Sequence, residues 1–208
     1  MARYDDRSTG PGERLPGWLA RELGPEAKIR TLNKGEILFR LGAPVTHIYF
    51  VLEGEIRAVR YLADGTPCVM QRGGEGEIFG SPALCVDRYS CEATACCPTR
   101  VVEIPSETLR VAAVENGELA LRFALSLAED MRRQCSRYER LRLKSAGDRI
   151  LHYLACEADE TGRVVLRSSV MEWAAELGLE AATLYRTLSK LERDGVLRRE
   201  GKRVVALC

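Results

Sequence analysis

Apolar positions along this chain change their period twice. Between Ile29 and Ile104 they fall in short runs broken by glycine-containing turns: 36–39, 47–52, 56–61, 68–71, 78–79, 91–96 and 100–104. The turns lie at 41–44, 53–54, 64–65 and 73–74. Many short β-type runs with regular turn signals predict a sandwich, barrel or roll. After Ile104-Pro105-Ser106 the period becomes helical. Ala124, Leu127, Met131, Gln134, Tyr138 and Leu141 recur by threes and fours, an a/d seam suited to a paired helix. Glu129, Asp130, Arg132, Arg133, Arg137, Glu139 and Arg140 charge the outer positions. That leaves the seam as the surface for a partner, and a parallel homodimer is preferred to a helix packed on its own domain. Residues 145–148 interrupt the pattern, and a further helix is expected over 149–158.

The last stretch has its own signature. Ser169 and Glu172 stand at capping-box spacing, so a helix is predicted to start there with Trp173, Ala174 and Leu177 on its apolar face. Gly178 breaks it. A second helix is predicted over 181–193, with Leu184, Leu188 and Leu191 inward and Thr183, Tyr185, Arg186 and Lys190 outward. Asp194-Gly195 ends it, and 196–205 reads as two short strands around Glu200-Gly201. Helix, glycine turn, helix and basic hairpin form a winged helix-turn-helix. Residues 181–208 hold seven Lys/Arg against three Asp/Glu, although the whole chain carries only +1. A local cationic excess on a second helix and wing suits phosphate contact.

Composition narrows the class further. The chain has 208 residues, 46% hydrophobic and 29% charged, an ordinary globular balance with room for one large domain or two modest ones. No apolar run approaches the ~20 residues that span a bilayer. The first 18 residues are polar and lack a signal core, so a loose arm, a short helix over 18–23 and a cytoplasmic protein without membrane attachment are expected. Eight cysteines accompany two histidines. Hydrolase patterns are absent, and neither His47 nor His152 stands in a recognised cysteine-nucleophile pattern, so no enzyme is expected. A thiol-dependent enzyme, or a metal- or ligand-binding module that does not touch DNA, is the rival class.

Roll, long helix and winged helix in this order resemble the CRP/FNR family of bacterial transcription regulators. The resemblance covers nearly the whole chain. It rests on KGEILF (34–39), HIYFVLEGEIR (47–57), GEIFG (76–80), the AGDRI junction (146–150) and the helix-turn-helix with its Gly201-Lys202 wing. It implies an α+β protein: a β-roll of the cyclic-nucleotide-binding type over 1–106, a dimerisation helix over 107–144 and a DNA-binding domain over 145–208. It also implies a homodimer on palindromic double-stranded DNA that recruits or blocks RNA polymerase.

On that alignment Arg186 takes the base-reading position and Thr183 a phosphate-contacting one. Ala182 stands where many relatives carry a base-reading Glu, Ala181 precedes it, and Tyr185 replaces a usual Gly or Ser, so the operator should differ from the family's best-known half-sites. Lys190, Ser169, Lys202 and Arg203 complete the expected DNA-contacting set. In the roll, Ser81 takes the position of the Glu that cyclic-AMP-binding members use, and Tyr89 that of their Arg, with Arg88 one residue away. Ser90, Gln134 and Cys135 complete the expected effector pocket. Without a cation to pair with it, a buried cyclic phosphate is costly, so cyclic AMP is not the expected effector. The N-terminal cysteine run of the oxygen-sensing branch is missing, because the first cysteine is Cys68. His47 is available as a haem ligand but reads as structural.

The cysteines suggest a different signal. Cys85, Cys91, Cys96 and Cys97 lie within thirteen residues, and the alignment brings Cys135 to the same pocket. No cofactor is fixed by the sequence. A thiolate-bound metal or iron–sulfur cluster, or a redox event at these thiols, is favoured over haem. In one continuous strand over 91–97, Cys91 and Cys97 would stand roughly 20 Å apart, too far to bond. Pairing of Cys85 with Cys91, or of either with Cys135, is the credible alternative. Cys68, Cys156 and Cys208 show no clustering.

Overall fold

A computed structural model describes residues 28–65, 67–166, 169–201 and 204–207. The arm and the short helix expected over 18–23 lie outside these residues. The chain divides into two compact units, one running to Leu127 and one from Ala128.

In the first unit eight strands form two antiparallel sheets. One has the order β1 (Lys28–Leu32), β8 (Thr99–Pro105), β3 (His47–Glu53), β6 (Ile78–Phe79). The other has β2 (Ile37–Phe39), β7 (Glu92–Ala95), β4 (Glu55–Tyr61), β5 (Pro67–Gly74). A 3-10 turn, Ser81–Cys85, follows β6. The HIYFVL run explains itself once its two neighbours are seen. Side chains alternate across a strand, so Tyr49 and Val51 join the core formed with Leu38, Phe39, Ile56, Phe79 and Val101. Ile48, Phe50 and Leu52 belong to a second apolar cluster with Leu109, Ala112 and Leu119, which lie on the helices that follow. A strand covered on both faces needs no polar alternation, and this one has none.

Gly54 makes the β3–β4 turn possible. Its φ is +87°, and a Cβ there would stand 2.6 Å from the Pro98 carbonyl oxygen. Both the left-handed backbone and the close approach exclude a side chain.

The helical stretch after β8 is two helices, α1 (Ser106–Glu115) and α2 (Gly117–Arg142). The 107–144 segment expected as one helix is therefore interrupted. Asn116 is the reason: its Oδ1 accepts from the backbone N–H groups of Glu118 and Leu119, each at 3.1 Å, and so caps the start of α2.

The second unit begins within α2. The interruption expected at 145–148 falls at 143–145, and 146–148 already form the first turn of the next helix. Ser145 caps α3 (Ala146–Glu157) by accepting from the Asp148 N–H at 3.0 Å. Strand β9 (Arg163–Val165) leads to α4 (Val170–Glu176), α5 (Ala181–Arg193) and the hairpin β10 (Leu197–Glu200), β11 (Val204–Leu207). The sheet order is β10-β11-β9. The capping box at Ser169 and Glu172 forms in both directions. Gly178, at φ +63°, lets the chain turn from α4 to α5. The AGDRI junction gains a mechanical role here. Arg149 Nε donates to the Leu143 carbonyl at 2.8 Å, and its Nη1 to those of Leu177 and Gly178 at 3.2 and 3.0 Å. One guanidinium thus ties the end of α2 to the turn of the helix-turn-helix.

Trp173 is fully buried at the centre of this unit, among Ile150, Leu154, Leu184, Leu188, Leu197 and Val205. Truncating a buried aromatic leaves a cavity as well as losing apolar contact. Trp173→Ala is expected to lower stability by about 3–5 kcal/mol. Thermal unfolding followed by circular dichroism checks this.

Candidate nucleic-acid interface and roll interior

Helix α5 divides its residues cleanly between core and outside. Leu184 and Leu188 are buried, and Leu191 packs against them. Ala182, Tyr185, Arg186 and Lys190 are exposed, with Thr183 half-buried beside them. Thr183 offers its carbonyl to the Thr187 hydroxyl at 2.7 Å. The side chains of Arg186 and Lys190 make no hydrogen bond or ion pair among the described residues.

The cations around them are occupied. Arg199 Nε donates to Glu192 Oε2 at 2.8 Å, and its backbone N–H donates to Oε1 at 3.0 Å. Those bonds hold the Glu192 carboxyl below the usual carboxylate range. Glu200 lies 2.6 Å from Arg198 and 3.2 Å from Arg163, and its carboxyl is lowered in turn, chiefly by Arg198. Arg193 bonds the Ser189 carbonyl. Exposed pairs of this kind contribute little to stability, but they remove cations from the count available to a phosphate. The sequence tally of basic residues therefore overstates what Arg198 and Arg199 offer. Among the described residues, Arg186 and Lys190 keep their charge unpaired on the outer face of α5. Lys202 and Arg203, expected as wing contacts, lie outside the described residues. Ser169, expected among the DNA contacts, has its hydroxyl committed to the capping box: it accepts from the Glu172 N–H and donates to Glu172 Oε2 at 2.9 Å.

The roll interior differs from the expected effector pocket. Tyr89 is a core residue. Its ring stacks on Phe39 with centroids 3.8 Å apart, and its hydroxyl donates to the His47 carbonyl at 2.5 Å. Phe39 also contacts the rings of Tyr49 and Phe79. Burial pushes the hydroxyls of Tyr49 and Tyr89 above the usual phenol range, so neither ring can serve as an anion at neutral pH. Arg88, one residue along the chain from Tyr89, donates to the Gly42 carbonyl at 2.8 Å and is exposed. Arg60 donates to the Ser90 carbonyl at 2.9 Å. Ser81 is buried, and its Oγ has no hydrogen-bond partner among the described residues. Ser90 is exposed, as are Gln134 and Cys135 on α2.

The thiols do not assemble. Cys68, Cys85, Cys91, Cys96, Cys97, Cys135 and Cys156 form no disulfide, so the pairings considered for Cys85, Cys91 and Cys135 are not formed. Among the described residues no group of three or more His, Cys, Asp or Glu side chains gathers to hold a metal. The strand expected over 91–96 is shorter: β7 covers Glu92–Ala95, and Cys96 and Cys97 lie in the bend after it. Cys85 is exposed and donates to the Pro82 carbonyl at 3.1 Å. Burial raises the Cys91 thiol pKa against the opposing pull of Arg60 and Ser90, which disfavours a thiolate there. Cys156, which shows no clustering in sequence, has an imidazole beside it: its Sγ is 3.6 Å from His152 Nδ1. The i, i+4 spacing on one helix was the signal available for that pair.

Along α2 the seam positions Ala124, Leu127, Met131, Tyr138 and Leu141 are all exposed, with Met131 at 69% and Tyr138 at 65%. Leu121 and Leu125, at 60% and 61%, extend the apolar stripe. Arg140 departs from its expected outer position. It is 2% exposed, lies over the Tyr153 ring at 4.6 Å and stands 3.9 Å from Glu176. The last turn of α2 is packed into the second unit, so this position faces inward.

A two-sheeted roll followed by a long helix and a winged helix-turn-helix defines the class: an effector-domain regulator with its own DNA-binding module. Residues 29–116 match the family described as Cyclic nucleotide-binding domain. The nitrogen fixation regulation protein FixK of Azorhizobium caulinodans is 31% identical over 173 residues, covering 77% of this chain and 67% of that protein. The transcriptional activator protein FnrA of Stutzerimonas stutzeri is 26% identical over 182 residues, covering 84% of this chain and 75% of that one. The solved structure of FixK2 from Bradyrhizobium japonicum has the same fold, with a TM-score of 0.73 over 87% of this chain and 92% of that one at 24% identity. The chain belongs to the CRP/FNR family of transcription regulators. These relatives are regulators, not enzymes. Among the described residues no helix is long and apolar enough to cross a membrane.

Proposed function

We propose that this chain is a cytoplasmic, homodimeric, sequence-specific DNA-binding regulator. Helix α5 would enter the major groove of each half-site of a palindrome, and an event in the roll would control binding. The observation that carries this reading is the outer face of α5, where Arg186 and Lys190 stand exposed and unpaired among the described residues while carboxylates hold Arg198 and Arg199 of the hairpin. A guanidinium free of protein partners can bond bidentately to guanine O6 and N7, and a free ammonium suits a phosphate. Ala182 offers a methyl to thymine and nothing to cytosine, which fits an operator unlike the family's usual one. Selection of bound duplexes from a random pool, followed by anisotropy titration at several salt concentrations, tests the proposal. An inverted repeat and a steep loss of affinity with salt are expected. Sequence-blind or salt-insensitive binding would overturn the proposal in favour of a module that contacts protein.

The domains of this reading are a sensor roll over 1–106, a dimerisation segment over 107–144 and a DNA-binding domain over 145–208. Bound to its operator, the dimer would recruit or block RNA polymerase. Cyclic AMP is not the proposed effector. Tyr89 is packed against Phe39 where the family's phosphate-binding Arg stands, and Arg88 is turned to the Gly42 carbonyl. Calorimetric titration with millimolar cyclic AMP is expected to give no saturable heat. Saturable binding in this titration would refute the exclusion.

The alternative signal is chemistry at the roll thiols, where Cys85 is exposed beside the 3-10 turn. An absorption spectrum of protein purified without oxygen separates the cases. Charge-transfer bands support a thiolate-bound iron–sulfur cluster, and a Soret band supports haem with His47 as the available ligand. A featureless spectrum supports thiol oxidation or an organic effector.

A further inference from the structure

Three titratable side chains meet at the contact between α2 and α3. Cys156 is half-buried on α3, one turn after His152. Its Sγ stands 3.6 Å from His152 Nδ1. The other ring nitrogen, Nε2, is 3.5 Å from Oε2 of Glu139 on α2. The line runs carboxylate, imidazole, thiol. Two further charges face it. Arg132 lies two turns before Glu139 on α2, so both share one face of that helix. Arg132 is held by Glu129 at 2.7 Å and interacts electrostatically with both Glu157 and Cys156.

A thiol reacts as its thiolate, and a neighbouring base or cation is what makes a thiolate available near neutral pH. A nucleophile whose base is itself oriented by a third group is the general form of an activated side chain. The contacts of Cys85 and Cys91 are of another kind. Burial disfavours ionisation of Cys91, and Cys85 donates its proton to a carbonyl. The His152 side chain is 24% exposed, so a small solute reaches the pair from solvent.

We propose that Cys156 is a modification site, a peroxide-reactive thiol activated by His152 under the orientation of Glu139. His152 Nδ1 takes the thiol proton, and Glu139 stabilises the imidazolium. The thiolate sulfur attacks one oxygen of hydrogen peroxide. The S–O bond forms as the O–O bond breaks, and the leaving hydroxide takes the proton from His152 and departs as water. Cys156 is oxidised by two electrons to the sulfenic acid and the peroxide is reduced to water. The added oxygen falls where α2 meets the first helix of the winged unit.

The test uses the full chain, hydrogen peroxide and a sulfenic-acid trap such as dimedone, with rates read for each cysteine by peptide mass spectrometry between pH 6 and 8. Cys135 serves as the internal reference, an exposed helical thiol with no imidazole partner among the described residues. Cys156 is expected to label about tenfold or more faster than Cys135, in line with general-base assistance. His152→Gln is expected to bring the Cys156 rate down to that of Cys135 and to move its pH profile upward, leaving the Cys135 rate unchanged. Glu139 is 69% exposed, so Glu139→Gln leaves the fold intact and is expected to slow Cys156 as well. Equal rates at Cys156 and Cys135, or a Cys156 rate unchanged by both substitutions, would overturn the proposal. The readout needs no DNA, so this inference and the DNA-binding proposal stand or fall separately.

Discussion

Replacing Arg186 with alanine is expected to remove most of the discrimination between operator and random DNA. A bidentate arginine–guanine contact contributes about 1–3 kcal/mol of discrimination. A two-fold dimer makes the contact twice, so the loss on a palindrome is about 2–6 kcal/mol, roughly thirtyfold to twenty-thousandfold in affinity. Binding to random duplex should fall far less. Arg186→Lys should not restore the operator, because an ammonium cannot reproduce the planar fork. Lys190→Ala provides the contrast. It is expected to weaken cognate and random DNA alike and to reduce the salt slope by about one per half-site. Paired anisotropy titrations on cognate and scrambled duplexes measure all three. An Arg186→Ala protein that binds its operator like the parent would remove Arg186 from the interface.

The second large effect is expected on α2. Met131 and Tyr138 expose 69% and 65% of their surface on an apolar stripe that also carries Leu121, Leu125 and Leu127. Isolated exposed apolar residues need no explanation, but a helical stripe of them marks a partner surface. The double substitution Met131→Glu, Tyr138→Glu is expected to give a monomer, because a two-fold axis sets each new carboxylate near its own copy in a desolvated seam. Both positions are solvent-exposed in the single chain, so each unit keeps its fold. A monomer presents one recognition helix, and operator affinity is expected to fall about a thousandfold or more, toward the non-specific level. Sedimentation velocity reads the association state, and the DNA titration reads the consequence. A variant that remained dimeric at the parent's concentration would place the partner surface elsewhere.

These predictions rest unequally on sequence and on structure. The elements of the winged unit were legible from residue order. Ser169 and Glu172 at capping spacing, Gly178 after an apolar helical face, and Leu184 and Leu188 four apart are local signals, and local hydrogen bonds and helical periodicity answer to them. The strands of the roll were legible for the same reason, since glycine turns and short β-type runs repeat along 29–104. Asn116 is not legible as a break, because a single Asn between two helical stretches looks like one polar position in a continuous helix. The exact place of the break before α3 is less legible, because Ser145 and Asp148 suit a turn as well as a helix cap.

The site divides in the same way. Arg186 and Lys190 could be placed on the outer face of α5 by counting, because helical geometry alone decides which side of the helix they occupy. Which cations stay free could not be counted. Glu192 meets Arg199 only when the hairpin folds back on α5, and Glu200 meets Arg163 only across the sheet β10-β11-β9. Tyr89 reads as a pocket position by alignment, yet becomes core because Phe39 arrives against it from a different strand. Cys156 looks solitary along the chain, yet it sits in a line with His152 and Glu139 once α3 packs on α2. The sequence by itself determined the elements, their order and the outward face of the recognition helix, since each depends on neighbours within a turn or a hairpin. Only the tertiary structure decided which charges are neutralised, which aromatic rings fill the roll and which thiol has a base beside it. Those properties depend on contacts between residues far apart in the chain, and the packing of the sheets and helices sets them.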